Sequence, residues 1–194
     1  MLTTTDISSI HGASSPKTET VRLWPYAPGV YGRDALYRVW RAMEEDGATK
    51  QALWDEVGET GADLVSFVKA FADPSRLLLM IERLDTGALC GCFWVTQMSP
   101  GHQAFVGMWM QHAARGPLSV EAARLALAHT FEYGQFRQLW AVTPWRAAAA
   151  LCRRMGFLHT ATLEAFCIWD GQPKDVLVLR LTKEAFDGFD IQKR

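Results

Sequence analysis

Residues 105–157 read FVGMWMQHAARGPLSVEAARLALAHTFEYGQFRQLWAVTPWRAAAALCRRMGF, and this stretch decides the fold. An apolar segment (105–110) is followed by the turn Arg115-Gly116-Pro117 and by a long amphipathic helix signal over 119–133. A second apolar segment (138–142) precedes a short Ala-rich helix that ends in Met155-Gly156-Phe157. The order strand, turn, helix, strand, helix aims backbone N–H groups at an anion. We therefore predict an anion-binding turn before the long helix.

The composition is that of a globular protein, since 49% of the 194 residues are hydrophobic and 21% are charged. A formal net charge of -1 argues against nucleic acid and against an anionic membrane surface as partners. No apolar run approaches the roughly 20 residues of a membrane span, and the N-terminus lacks the pattern of a secretory signal. We expect a cytoplasmic protein.

The four cysteines do not form a metal or disulfide pattern. Cys90 and Cys92 lie in one apolar run, where residues i and i+2 share a face of a strand, so two buried thiols on one face are expected. No metal site is predicted. A reducing compartment fits this cysteine usage best.

The rest of the chain predicts a single domain over 20–194 behind a flexible N-terminal tail, 1–19. Strands are expected at 21–26, 76–84, 88–98, 103–111, 161–169 and 176–181, with a turn over 170–173. Helices are expected over 32–46 and from Thr49 to residue 71, with an interruption at 58–61. The fold class is α+β: a mixed, mostly antiparallel sheet of six or seven strands with helices on both faces. The helix over 119–133 must cross over, so that two neighbouring strands become parallel.

The central stretch resembles the GNAT superfamily of N-acetyltransferases, and more closely its branch that acetylates ribosomal proteins and small amines. The residues that carry the resemblance are Arg115-Gly116, the run from Glu121 to Leu125, the segment FEYG over 131–134, and RMGF over 154–157. The motifs are confined to 110–157, although the order of elements matches from Val21 to Leu181.

The resemblance implies the acyl-CoA N-acyltransferase fold and acetyl-CoA as co-substrate. The pantetheine chain would enter between two splayed strands, 103–111 and 138–142, and the turn would hold the pyrophosphate. A primary amine of a small molecule or peptide would attack the thioester directly, with no covalent enzyme intermediate. The implied cofactor-binding residues are Met110, Gln111, His112, Arg115, Gly116, Pro117, Leu118, Ser119, Trp145 and Arg146.

The chain departs from the family pattern in three places. Pro117-Leu118-Ser119 replaces further glycines and makes the loop about two residues shorter, although Ser119 is a good N-cap residue. Trp145 stands where many members carry Asn, and Cys152 stands where many carry the Tyr that protonates the CoA thiolate. These changes leave open a second hypothesis, a catalytically inactive binding or structural module with the same fold.

The catalytic candidates follow from chemistry and position. Cys152 is a candidate acid, since a thiol of pKa about 8.5 can replace a phenol of pKa about 10; packing in the apolar face of its helix is the alternative. His112 titrates near neutrality and is a candidate base, or a polar surface residue. Glu164 and Glu82 are further candidate bases if they face a cleft rather than solvent. Exposed aromatic surface on the last two strands is compatible with a homodimer.

Overall fold

The computed structural model describes residues 16–26, 34–51, 54 and 63–191, and within them the chain forms a seven-stranded sheet. The strand order is β1-β2-β3-β4-β5-β7-β6. β4 and β5 are parallel, and every other neighbouring pair is antiparallel. The strands are β1 (Val21–Tyr26), β2 (Leu77–Arg83), β3 (Leu89–Ser99), β4 (Gln103–Met110), β5 (Gln138–Thr143), β6 (Leu158–Trp169) and β7 (Gln172–Thr182).

Helices cover both faces of this sheet. They are α1 (Asp34–Glu45), α2 (Leu64–Ala72), α3 (Pro117–Gly134), α4 (Arg146–Arg154) and α5 (Lys183–Ile191), with 3-10 turns at Thr49–Gln51 and His112–Ala114. The apolar residues of α1 and α2 form one core with the side chains of β1 to β4 that point to their face. The opposite core contains α3, Ala149 of α4 and Phe186 of α5. The predicted fold class is confirmed, including the parallel pair that the crossover helix α3 creates.

Two local predictions were wrong at element ends. α3 begins at Pro117 rather than near Ser119, because proline has the φ angle of a helix and needs no hydrogen-bond acceptor at the first position. Gly116 is the N-cap, and Ser119 lies at the third helical position. The predicted turn over 170–173 is shorter, since Asp170 (φ 51°) and Gly171 (φ 69°) alone make it and β7 already begins at Gln172. Helix α5 was not predicted.

The two thiols of the Cys90–Cys92 pair are both buried, as expected, but they lie in opposite cores. The β2–β3 register shifts between Ile81 and Glu82, so that Ile81 pairs with Gly91 and Glu82 with Leu89. Cys90 is the extra residue of this β-bulge, and a bulge changes the face to which the next side chain points. Its thiol lies 3.5 Å from the carbonyl oxygen of Ile81.

Some predictions concern residues outside the described ranges. Residues 1–15 of the predicted tail are among them, whereas Pro16 accepts a hydrogen bond from the Leu23 N–H at 2.8 Å. Most of the segment between Thr49 and Asp63 also lies outside, apart from Trp54. In the described part of the chain, no helix is both long and apolar enough to cross a membrane, and no cluster of side chains is arranged to hold a metal ion.

Candidate active site

The two parallel strands, β4 and β5, separate soon after they begin. They pair only at Gln103 with Gln138, Ala104 with Leu139, and Phe105 with Trp140. Beyond these three pairs β4 continues to Met110 on the edge of β3, while β5 continues to Thr143 on the edge of β7. The sheet therefore contains a wedge-shaped opening, as the family resemblance implied.

Backbone groups of β4 line this opening. The Gln111 N–H donates to the Cys90 carbonyl at 2.9 Å, and Met110 stands opposite Gly91 in the β3–β4 register. Because hydrogen-bonded and non-hydrogen-bonded pairs alternate in antiparallel strands, the peptide groups of Met108 and Met110 point away from β3 and into the wedge. The Met110 carbonyl accepts a bond from Arg115 Nε at 3.2 Å. The backbone N–H and carbonyl of Met108 and the backbone N–H of Met110 therefore face a ligand bound in the wedge.

Asp46, just after α1, organises the end of β4. Its Oδ1 accepts from the His112 N–H at 2.8 Å, and its Oδ2 accepts from Trp109 Nε1 at 3.2 Å and Arg115 Nη2 at 3.3 Å. The Asp46 side chain is only 9% exposed, whereas that of Arg115 is 51% exposed. Arg115, one of the cofactor-binding residues that the resemblance implied, is therefore already paired in this structure.

The turn before α3 presents few free amides. The Gly116 N–H donates to Ser119 Oγ at 3.2 Å, and that hydroxyl donates to the Gly116 carbonyl at 2.8 Å. Pro117 has no N–H, so the first turn of α3 lacks one of its usual donors. Gly116 adopts φ 112°, a conformation that favours glycine. The turn therefore offers fewer free backbone donors than the predicted anion-binding turn would use.

A shallow cleft of about 310 Å³ lies beside this turn. Arg83 and Arg115 line it, and so does Glu121, whose carboxylate accepts a 2.7 Å bond from the Thr20 hydroxyl. An anion in this cleft would meet two guanidinium groups and one carboxylate. The Glu121 carboxylate repels an anion, so the cleft binds phosphate less favourably than it would if only the two arginines lined it.

The mouth of the wedge is aromatic. Trp145 is the N-cap of α4, and its backbone N–H donates to Thr143 Oγ1 at 3.1 Å. Its ring makes edge contacts with Trp54 (centroids 5.7 Å apart) and Trp169 (5.4 Å). Arg146, the first residue of α4, is exposed. The segment after α1, the start of α4 and the end of β6 therefore meet at one indole.

The three catalytic candidates occupy different environments. His112 and Glu164 are exposed, the latter next to the bulge at Ala165 (φ 49°) in β6. Cys152 packs partly buried against the core of α3, and burial raises the pKa of its thiol to about 11. No hydrogen bond joins any two of these residues in the described part of the chain. The structure does not assemble them into a hydrogen-bonded relay.

Glu82, the other candidate base, is engaged in the sheet. Its carboxylate accepts from Arg22 Nη2 at 3.1 Å and from the indole N–H of Trp24. Its side chain is 17% exposed. These contacts give Glu82 a structural role between β1 and β2.

Sequence reasoning missed Asp46 entirely. Its partners lie 63 to 69 residues further along the chain, and it follows the last turn of an ordinary amphipathic helix. No local pattern distinguishes it from a solvated residue at a helix end. Only the packing of α1 against β4 reveals its contacts.

The split sheet, with its parallel pair, crossover helix and antiparallel flanks, is the acyl-CoA N-acyltransferase fold of the GNAT superfamily. The likeness is measured against solved structures. A probable acetyltransferase of the GNAT family from Chromobacterium violaceum is 23% identical, with a TM-score of 0.66 over 89% of this chain and 88% of its own. Mycobacterium smegmatis RimJ, solved in complex with CoA-disulfide, is 20% identical, with a TM-score of 0.66 over 90% of each chain.

A third similar structure is the Salmonella typhimurium acetyltransferase that modifies the N-terminal serine of the 50S ribosomal subunit protein L7/L12. It is 14% identical, with a TM-score of 0.68 over 85% of this chain and 96% of its own. No protein-family model matches the sequence, and no curated protein matches it. At these identities the comparisons establish the fold.

Proposed function

We propose that this protein is an N-acetyltransferase that transfers the acetyl group of acetyl-CoA to a primary amine of a small molecule or a protein. The observation that carries the proposal is the wedge between β4 and β5, with the peptide groups of Met108 and Met110 directed into it. A pantetheine chain carries amide groups that can pair with such an edge as a further strand would. The solved relatives, RimJ with bound CoA-disulfide among them, support the same assignment.

In this proposal the phosphate groups lie at the turn before α3. Arg115 and the first amides of α3, those of Leu118 and Ser119, would hold the pyrophosphate, and Arg146 at the start of α4 would reach a phosphate from the other side of the wedge. Arg115 must then share its charge between Asp46 and the ligand. The remaining proposed contacts are the Pro117 ring and the Trp145 indole. The backbone N–H and carbonyl groups of Gln111 and His112, which were predicted to bind the cofactor, are already hydrogen-bonded within the protein.

The proposed chemistry is direct attack of the neutral amine on the thioester carbon, which forms the C–N bond and breaks the C–S bond. His112 or Glu164 accepts the proton that the amine loses, and the CoA thiolate takes up a proton as it leaves. Cys152 is the proposed donor of that proton. Burial raises the pKa of its thiol to about 11, which keeps it protonated at neutral pH, makes it a weaker acid than the free thiol on which the prediction was based, and leaves it unsuited to act as a nucleophile.

A second candidate function is a catalytically inactive module that keeps the fold. Three observations favour it. Pro117 has no backbone N–H to offer a phosphate, the Gly116 N–H already donates to Ser119 Oγ, and the Arg115 guanidinium already pairs with the Asp46 carboxylate. Each weakens the pyrophosphate site. Trp145 adds a bulky ring at the mouth, where many relatives carry Asn.

Two measurements separate these functions. Isothermal titration with acetyl-CoA tests the site, and the absence of binding at millimolar ligand contradicts both the enzyme and a CoA-binding module. Release of free thiol from acetyl-CoA with a broad panel of amines tests turnover. Loss of that turnover in Cys152→Ala, His112→Ala or Glu164→Gln, with CoA binding retained, rejects the inactive module.

The affinity of Pro117→Ala for acetyl-CoA tests whether the turn before α3 holds the phosphates. The substitution adds one N–H at the first helical position and leaves the charge of the site unchanged. Tighter binding of acetyl-CoA, with unchanged binding of dephosphorylated pantetheine, is expected if the phosphates lie at α3. Equal effects on both ligands would place them elsewhere.

The oligomeric state is a further proposal. β6 is an edge strand with exposed apolar side chains, among them Phe166 (63% exposed) and Ile168 (50%). An exposed apolar edge favours pairing with a second copy, and we propose a homodimer. Light scattering behind size-exclusion chromatography tests it, and a monomer at all concentrations would contradict it. A cytoplasmic location, where acetyl-CoA is available, completes the proposal.

A further inference from the structure

A row of three side chains crosses the sheet at the last paired position before the wedge opens. Phe105 of β4 stands beside Trp140 of β5, and Trp140 stands beside Arg180 of β7. The Phe105 and Trp140 rings stack with centroids 6.5 Å apart, and the Arg180 guanidinium lies 5.9 Å from the Trp140 ring. Gln103 fixes the indole, since its Oε1 accepts from Trp140 Nε1 at 3.1 Å.

This row faces the side of the sheet that carries α1 and α2. Its neighbours along the strands, Leu139 and Leu179, point into the opposite core. The core beneath α1 and α2 takes its strand residues from β1 to β4, so within the described ranges these helices do not pack on the β5–β7 half of the face. Trp140 and Arg180 are therefore at the floor of a surface that adjoins the wedge.

Arg180 has no anionic partner in the described part of the chain. Its residue is only partly exposed, its Nε is buried, and no hydrogen-bond acceptor meets that nitrogen. Arg22, a partly buried arginine on the same face, also has a buried Nε without an acceptor, but its Nη2 pairs with the Glu82 carboxylate at 3.1 Å. A partly buried guanidinium without a counter-ion is unfavourable, and a carboxylate on the terminal nitrogens of Arg180 would supply the missing negative charge.

We propose that Arg180 binds a carboxylate of the acceptor, so that the substrate is a primary amine with a carboxylate a few bonds away. The proposal rests on the proposed acetyltransferase function. Adjacent strands lie about 4.8 Å apart, which puts the Arg180 backbone about 10 Å from β4 and one pair below the opening. An amine at the opening and a carboxylate on Arg180 can belong to one small molecule. Trp140 and Phe105 supply the apolar floor between them.

A free acidic amino acid and an acidic N-terminal residue of a peptide share this chemistry. Matched acid and amide acceptors separate charge recognition from size: glutamate against glutamine, and peptides that begin with Glu against peptides that begin with Gln. Thiol release gives kcat/KM for each. We expect the acid of at least one pair to be favoured by roughly 10- to 100-fold, the range of a charge-assisted hydrogen bond. The pair that shows the preference identifies the source.

Arg180→Gln removes the charge and keeps most of the side-chain length. We expect it to abolish the acid preference while the KM for acetyl-CoA stays the same, and we expect Arg180→Lys to retain part of the preference. Arg137→Gln, an exposed arginine in the turn before β5, is the control for net charge and should keep the full preference. An unchanged preference in Arg180→Gln, or no preference in the wild type, overturns the proposal.

Direct binding separates this inference from the proposed activity. The Trp140 indole N–H resonance, assigned with Trp140→Phe, reports a ligand on Arg180 without turnover. If no amine is acetylated but the acid shifts this resonance more strongly than the amide, the carboxylate site stands and the acetyltransferase function fails. If amines are acetylated with equal efficiency and the resonance does not discriminate, the carboxylate site fails and the function stands.

Discussion

The substitution Asp46→Asn tests the account of the β4 end most sharply. Asparagine keeps an oxygen for the His112 N–H but places an amide NH₂ where Oδ2 receives Trp109 Nε1 and Arg115 Nη2. Trp109 is 6% exposed, so its indole N–H loses its partner in a buried setting, which costs about 1–3 kcal/mol. The ion pair adds at most about 1 kcal/mol, because Arg115 is half exposed.

We therefore expect Asp46→Asn to lower the free energy of unfolding by about 3 kcal/mol, measured by urea denaturation. In a chain of this size that corresponds to a fall in Tm of roughly 6–12 °C. Arg115→Ala removes only the exposed side of the network and should cost no more than about 1 kcal/mol. The double variant measures the coupling between the two. If Asp46→Asn costs less than Arg115→Ala, the buried carboxylate does not organise this end of β4 and the reasoning is wrong.

Three further predictions concern the wedge and the core. Arg115→Ala should raise the KM for acetyl-CoA with a smaller change in kcat, since phosphate binding stabilises substrate and transition state alike; steady-state thiol release checks it, and an unchanged KM contradicts the phosphate site. Gly107→Ala should lower the free energy of unfolding by about 1–3 kcal/mol, because the added Cβ would lie 2.2 Å from the Trp94 ring, whereas Gly188→Ala in α5 meets nothing within 4 Å and should stabilise by up to about 1 kcal/mol. Burial raises the pKa of the Cys152 thiol from 9.0 to about 11, so its contribution to stability is complete below pH 9 and is lost as the pH rises to 11. Between these pH values Cys152→Ala should therefore lose less free energy of unfolding than the wild type. Parallel plots of unfolding free energy against pH for the two proteins would contradict the raised pKa.

Local sequence patterns predicted much of the scaffold. The apolar alternation of β2 to β4 and the turn at Gly87 (φ 66°) predicted the meander, since each strand needs only its own period and a residue that tolerates the turn. Gly156 and Phe157 were likewise predicted from a local pattern, the end of a helix. Gly156 adopts φ 93° at the end of α4, and Phe157 returns its side chain to the core.

The candidate site was predicted less completely. The family resemblance predicted the splayed strands, and the crossover helix predicted the parallel pair. The pairing of Arg115 with Asp46 and the lone position of Arg180 were not predicted. An N-cap at Ser119 was inferred from residue preference, whereas proline at the first helical position moved the helix start.

The sequence by itself predicted the order of the strands and of the helices up to α4, together with the parallel pair, because periodicity and turn residues act over a few neighbouring residues. The tertiary structure alone decided where the sheet opens, that Arg180 has no anionic partner among the described residues, and which core receives each thiol of the Cys90–Cys92 pair. Those outcomes depend on register between strands and on contacts that join residues more than 60 positions apart, such as Asp46 and Trp109. Register and long-range contact leave no periodic trace in a single chain.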